Sequence, residues 1–118
     1  MRRDQRGAAT AELAMAVPLL VALTVGLVWL LSVGLAQIRM VDAAREAARA
    51  AARGETVAEA ESRGSEVAPA GSRVAMDTVG DQVTVTVTGS ARPPAGLLGF
   101  LPAVTLHAEA VAAVEGVP

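Results

Sequence analysis

The chain has 118 residues and a formal net charge of −2, and 53% of its residues are hydrophobic but only 2% aromatic. A length of this order holds one domain at most, and a core with so few aromatics is built from alanine, valine and leucine. The absence of cysteine excludes disulfides and thiolate chemistry, and the charge balance argues for neither nucleic acid nor an anionic surface as a partner.

The first element is a long apolar helix. Arg2, Arg3 and Arg6 lead to Gly7, and from Leu13 to Ala36 run 24 residues without a charge. As a helix this run spans roughly 36 Å, enough for a hydrocarbon core of about 30 Å. A soluble helix is rarely apolar around its whole circumference for that length, so the segment reads as transmembrane. Glu12 stands at its mouth. A carboxylate costs about 2.5–3.5 kcal/mol at a bilayer centre on insertion scales and less towards the interface, so a use for it is expected. Pro18 is expected either to kink the helix or to mark its true start. Ala22 and Gly26 form a small-xxx-small pair of the kind that lets another helix approach.

No breaker follows the span. "QIRMVDAAREAARAAARGE" continues from Gln37 in strong helix formers, giving one helix of about 35 residues or more, with Gly54 as its C-terminal cap. Ile38, Val41, Ala44 and Ala48 form an apolar stripe on its upper part. Asp42 with Arg45, and Glu46 with Arg49, are opposite charges at i,i+3. Thr56-x-x-Glu59 has the form of a capping box opening a second, short helix that ends near Gly64.

After Gly71 the period changes to two. Arg73–Thr78 and Gln82–Thr88 read as strands joined around Val79-Gly80-Asp81, the second with Val83, Val85 and Val87 on one face and Thr84, Thr86 and Thr88 on the other. "VTLHAEAVAAVE", from Val104 to Glu115, alternates again, although its alanines also permit a helix. Three strands need a cover on their apolar face, and the upper part of the long helix is the natural lid. Between the last two strands, Leu97, Leu98, Phe100 and Leu101 crowd into a Pro/Gly-rich loop. They either plug the open end of the sheet or form a docking surface for a neighbouring subunit or the membrane.

Catalytic patterns are missing. There is no Gly-rich phosphate loop, no metal motif around the single histidine, His107, and no nucleophile with a placed base, so neither an enzyme nor a cofactor is expected. The positive-inside rule sets Arg2, Arg3 and Arg6 against Arg39, Arg45, Arg49 and Arg53 and decides nothing.

The order of basic residues, Gly7, "AATA", Glu12 and an apolar helix resembles the processing and assembly signature of type IV prepilin-like proteins. The fuller run, "RGAATAELAMAVPLL" followed by a span and "AQIRMVDAAREAARAAARGE", is similar to the TadE-like minor pilins of the tight-adherence (Flp/Tad) pilus system. Members often carry an aromatic after the glutamate, where this chain has Leu13. The resemblance implies cleavage by a prepilin peptidase between Gly7 and Ala8, on the cytoplasmic side. It also implies pairing of the new Ala8 amine with Glu12 of a neighbouring subunit during assembly. An N-in, C-out orientation in the cytoplasmic membrane follows. The implied partners are the peptidase, the major pilin, other minor pilins, and the inner-membrane assembly platform with its ATPase, besides membrane lipid.

The expected organisation is α+β and type IV pilin-like: a leader at 1–7, a transmembrane helix at 8–36, an extramembrane helical region at 37–64 and a small β-rich extracytoplasmic domain at 65–118. Two alternatives keep the same span: an uncleaved bitopic scaffold, and a Sec-secreted protein cut after Ala36. Against the second, the apolar run is far longer than the 7–15 residues of a signal-peptide core.

Overall fold

The computed structural model describes residues 2–94, 96 and 99–114. Five elements follow in chain order: α1 (Arg2–Ala52), α2 (Val57–Val67), β1 (Arg73–Val79), β2 (Gln82–Ala91) and β3 (Val104–Ala113). The molecule measures 90 × 19 × 19 Å, a length set by the 51 residues of α1, which at 1.5 Å each span about 77 Å.

Leucines, valines and alanines carry α1 through its lower half, and alanines carry it through its upper half. It runs without interruption past Pro18, so the proline does not mark the helix start. Its missing N–H deprives the Ala14 carbonyl of the usual partner. The helix stops where expected. Gly54 has φ +91°, Gly54 N donates to Ala51 O and Glu55 N donates to Ala50 O. This pair of bonds is the Schellman arrangement, which a left-handed glycine permits without strain.

Thr56 then caps α2. Its hydroxyl accepts from Glu59 N at 3.2 Å, and its own N–H donates to the Glu59 carboxylate at 3.3 Å, the reciprocal capping box. The helix continues past Gly64 to Val67. Gly64 is not its end but its contact point with α1: a Cβ there would lie 3.1 Å from Ala47 Cβ and 3.2 Å from Ala43 O. Glu55 joins the two helix ends, 2.7 Å from Arg63 and 3.4 Å from Arg53. Glu46 pairs with Arg53, at 3.9 Å, rather than with Arg49.

The sheet is an antiparallel meander in the order β1-β2-β3. Gly80, at φ +63°, turns the tight hairpin between Val79 and Gln82, which pair with each other. On β3 pairing decides between strand and helix: ten consecutive residues, Val104 to Ala113, face Ala91 to Gln82 of β2. Glu115 lies outside the described residues.

Burial follows the period of two on β2 and β3. Val83, Val85, Val87, Leu106 and Ala108 are buried beneath α1, while Thr105, His107 and Glu109 face outward. The helix contributes Met40, Ala43, Ala44, Ala47, Ala48 and Ala51, the i, i+3, i+4 recurrence of a core-facing stripe. Ile38 does not belong to it, being 58% exposed; Met40 is fully buried in its place. Met40 fits because Gly89, on the core face of β2, has no side chain: a Cβ there would lie 2.9 Å from Met40 Cε.

Candidate functional site: the N-terminal helix and the loop beside it

Gly7, Ala8 and Glu12 all lie on α1 and are all exposed. Four residues separate Ala8 from Glu12, so they share a helix face one turn apart, about 6 Å along the axis. Helical side chains lean towards the N-terminus, which aims the Glu12 carboxylate back at Ala8. Above Glu12, on the same side, Met15, Ala16 and Leu19 line a shallow groove. Among the described residues Glu12 forms no ion pair. An acid thus stands at the foot of an apolar ridge, with the amide of Ala8 one turn below. A Cβ at Gly7 would meet nothing within 4 Å, so the glycine is not required by packing. It does lower the local helix stability, by about 1 kcal/mol relative to alanine.

Within the apolar stretch the two hydroxyls are internally satisfied, whereas the buried Trp29 Nε1 has no partner among the described residues. Thr24 Oγ1 donates to Leu20 O and Ser32 Oγ to Val28 O, both at 2.9 Å, the back-bonding that removes a hydroxyl from an apolar medium. Higher up, Gln37 Nε2 donates to His107 O at 2.9 Å. Val33 and Ala36 pack partly against the core. One side of the top of the apolar run is therefore partly covered by the folded domain, while Leu31 and Leu35 stay exposed on the other. A cut after Ala36 would fall within the continuous helix α1.

The connection between β2 and β3 does more than close the sheet. Leu101 borders a cleft of about 350 Å³ formed with Ala22, Gly26, Leu27 and Leu30 of α1. The small-residue pair Ala22 and Gly26 therefore lies beside the chain's own loop. Arg92 and Pro94 border a second cleft, of about 430 Å³, formed with Thr24, Val28, Trp29 and Ser32. Phe100 does not plug the sheet: it is 80% exposed. Leu97 and Leu98 lie outside the described residues. This descent of the loop along α1 was not readable from the sequence, where its apolar residues signalled only that water is a poor environment for them.

His107 is exposed on the outer sheet face, opposite Thr88. Arg39, Arg45, Arg49 and Arg53 line the exposed side of α1, a solvated face opposite its alanine stripe.

α1 is the one helix among the described residues long and apolar enough to cross a membrane. Residues 7–49 match the family model described as TadE-like protein. No curated protein and no solved structure matches the chain. The match begins at the glycine, takes in Glu12 and the whole apolar run, and ends in the alanine-rich stripe that covers the sheet. The segment from 7 to 49 is therefore similar to the TadE-like family, over a little more than a third of the chain.

Proposed function

We propose that the chain is a minor pilin or pseudopilin of a Tad-type pilus: a non-catalytic subunit inserted N-in, trimmed after Gly7 by a prepilin peptidase, and assembled through α1. The observation that carries this reading is the coincidence of the family match with Gly7 and Glu12 placed five residues apart on one exposed helix. Cleavage creates an α-amine at Ala8 on the same face as Glu12. A carboxylate and an ammonium each lose hydration near a membrane interface and attract more strongly as the local dielectric falls. Pairing the amine with Glu12 of a neighbour gives adjacent helices a register. The peptidase, the major pilin, other minor pilins and the assembly platform with its ATPase are the partners of such a subunit.

The deciding experiment is the intact mass and N-terminal sequence of the protein from membranes of its native host. A chain beginning at Ala8 supports processing; a chain beginning at Met1 beside an active peptidase reduces the protein to an uncleaved scaffold. Two variants separate the steps. Gly7→Leu is expected to block trimming, and a shortened product from it removes Gly7 from the reading. Glu12→Ala is expected to be trimmed yet to enter filaments poorly, and normal incorporation refutes the charge pair.

A further inference from the structure

The sequence alone places the upper edge of the apolar run at Ala36, but there the fold already covers one side of the helix, with Leu31 and Leu35 exposed on the other. Val33 and Ala36 pack against the sheet, and Gln37 is tied to the backbone of β3. Eight residues below Gln37, about 12 Å along the axis, stands Trp29, the single tryptophan of the chain. At this level the β2–β3 loop reaches α1 with Arg92, Pro94 and Leu101. Counted from Trp29 down to Ala8, 22 residues give a helix of about 33 Å, a hydrocarbon thickness whose lower turn holds Glu12. A bilayer centred on this stretch meets the loop at its surface. Tryptophan and arginine are the residues that settle at such an interface, the ring at headgroup level and the guanidinium reaching phosphate.

We propose that the described ends of the β2–β3 connection, Arg92–Pro94 and Gly99–Leu101, dock on the membrane: Phe100 and Leu101 enter the distal edge of the hydrocarbon beside α1, with Arg92 meeting lipid phosphate at the level of Trp29. The occupant of this surface is the phospholipid leaflet itself. Phe100 is 80% exposed at the depth where the helix beside it is exposed and apolar, so one solvent covers both. The small β domain is thereby held down against the leaflet as well as by its helix, which fixes its tilt. The proposal rests on α1 spanning a bilayer, and its test reads that condition separately.

The chain has no cysteine and one tryptophan, so single labels are unambiguous. The full chain is reconstituted at one copy per nanodisc of phosphatidylethanolamine and phosphatidylglycerol. Spin labels are placed at Leu20→Cys for the span, Phe100→Cys for the loop and Asp77→Cys for the outer face of the sheet. Accessibility to oxygen and to a water-soluble nickel complex is read at each. Shielding from nickel at both Leu20 and Phe100, with Asp77 open, is the expected result. Arg92→Glu should then raise nickel accessibility at Phe100 several-fold and leave Leu20 unchanged. A shielded Leu20 with an open Phe100 overturns the loop docking and leaves the span intact. An open Leu20 overturns both. Shielding of Phe100 only in discs holding two or more copies assigns the surface to a neighbouring subunit and overturns the lipid reading. Trp29 fluorescence gives an independent measure: stronger quenching by lipids labelled near the headgroup than at the chain end is expected, and the reverse order overturns the boundary.

Discussion

Two glycines show how much of this fold depends on atoms that are absent. Gly64 lets α2 lie against Ala43 and Ala47 of α1, and Gly89 leaves room for Met40. In an exposed helix, glycine to alanine stabilises by roughly 0.8–1 kcal/mol. At position 64 that gain is opposed by contacts of 3.1–3.2 Å, so Gly64→Ala is expected to bring no net stabilisation. Gly64→Leu is expected to destabilise by about 1–3 kcal/mol through overpacking. Thermal unfolding of the reconstituted chain, followed by circular dichroism, checks both; a more stable Gly64→Ala would show that the helices are not in contact there. These positions also mark what a sequence can convey. Gly54 and Thr56 were legible because a cap is satisfied by neighbours within a few residues. Gly64 was read as a helix end because its actual reason, the side of another helix, is a tertiary contact with no local signature.

At the scale of elements, β2 was the most legible part of the chain because a strict valine/threonine alternation admits only one face assignment. A one-residue slip in its register would expose every valine. Val85→Thr keeps the shape but buries a hydroxyl without a partner, and is expected to cost about 1–3 kcal/mol. Val111→Thr, on the outward face of β3 and 55% exposed, is expected to stay within about 0.5 kcal/mol of the parent. Equal effects in denaturant unfolding would refute the face assignment. β3 was less legible: alanine satisfies a helix as readily as a strand, and only the ladder to β2 decides. The stripe on α1 was half legible. The sequence points to Ala44 and Ala48 but not to Ala43, Ala47 or Ala51, and to Ile38 rather than Met40, because hydrophobicity favours isoleucine and only the empty space at Gly89 favours methionine.

For the molecule as a whole, orientation is the property that neither arginine counting nor shape decides by itself. Of the ten arginines three precede the span and seven follow it, four of those, Arg39, Arg45, Arg49 and Arg53, in the stretch directly above it. Arg45 and Arg49 lie on the solvated side of α1, whose opposite side packs against the sheet, and Arg53 follows just beyond its end. If the membrane ends near Trp29, Arg53 stands 24 residues beyond it, outside the reach within which basic residues steer insertion. The cluster at Arg2, Arg3 and Arg6 lies directly against the other end and gains relative weight. The proposed trimming would also be a change of state. Residues 1–7 carry three arginines and one aspartate, a net +2, so their removal would take the chain from −2 to −4. In the proposed N-in orientation it would take away the charges that hold the N-terminus at the cytoplasmic surface, and with them a barrier to drawing α1 out of the bilayer. Two fusions at the C-terminus test the orientation. An alkaline phosphatase, active only outside the cytoplasm, is expected to be active, and a fluorescent protein that matures only inside it is expected to stay dark. Replacing Arg2, Arg3 and Arg6 together by glutamine is expected to lower phosphatase activity by mixing orientations. Undiminished activity would mean that the folded domain, and not the arginine cluster, sets the direction of insertion.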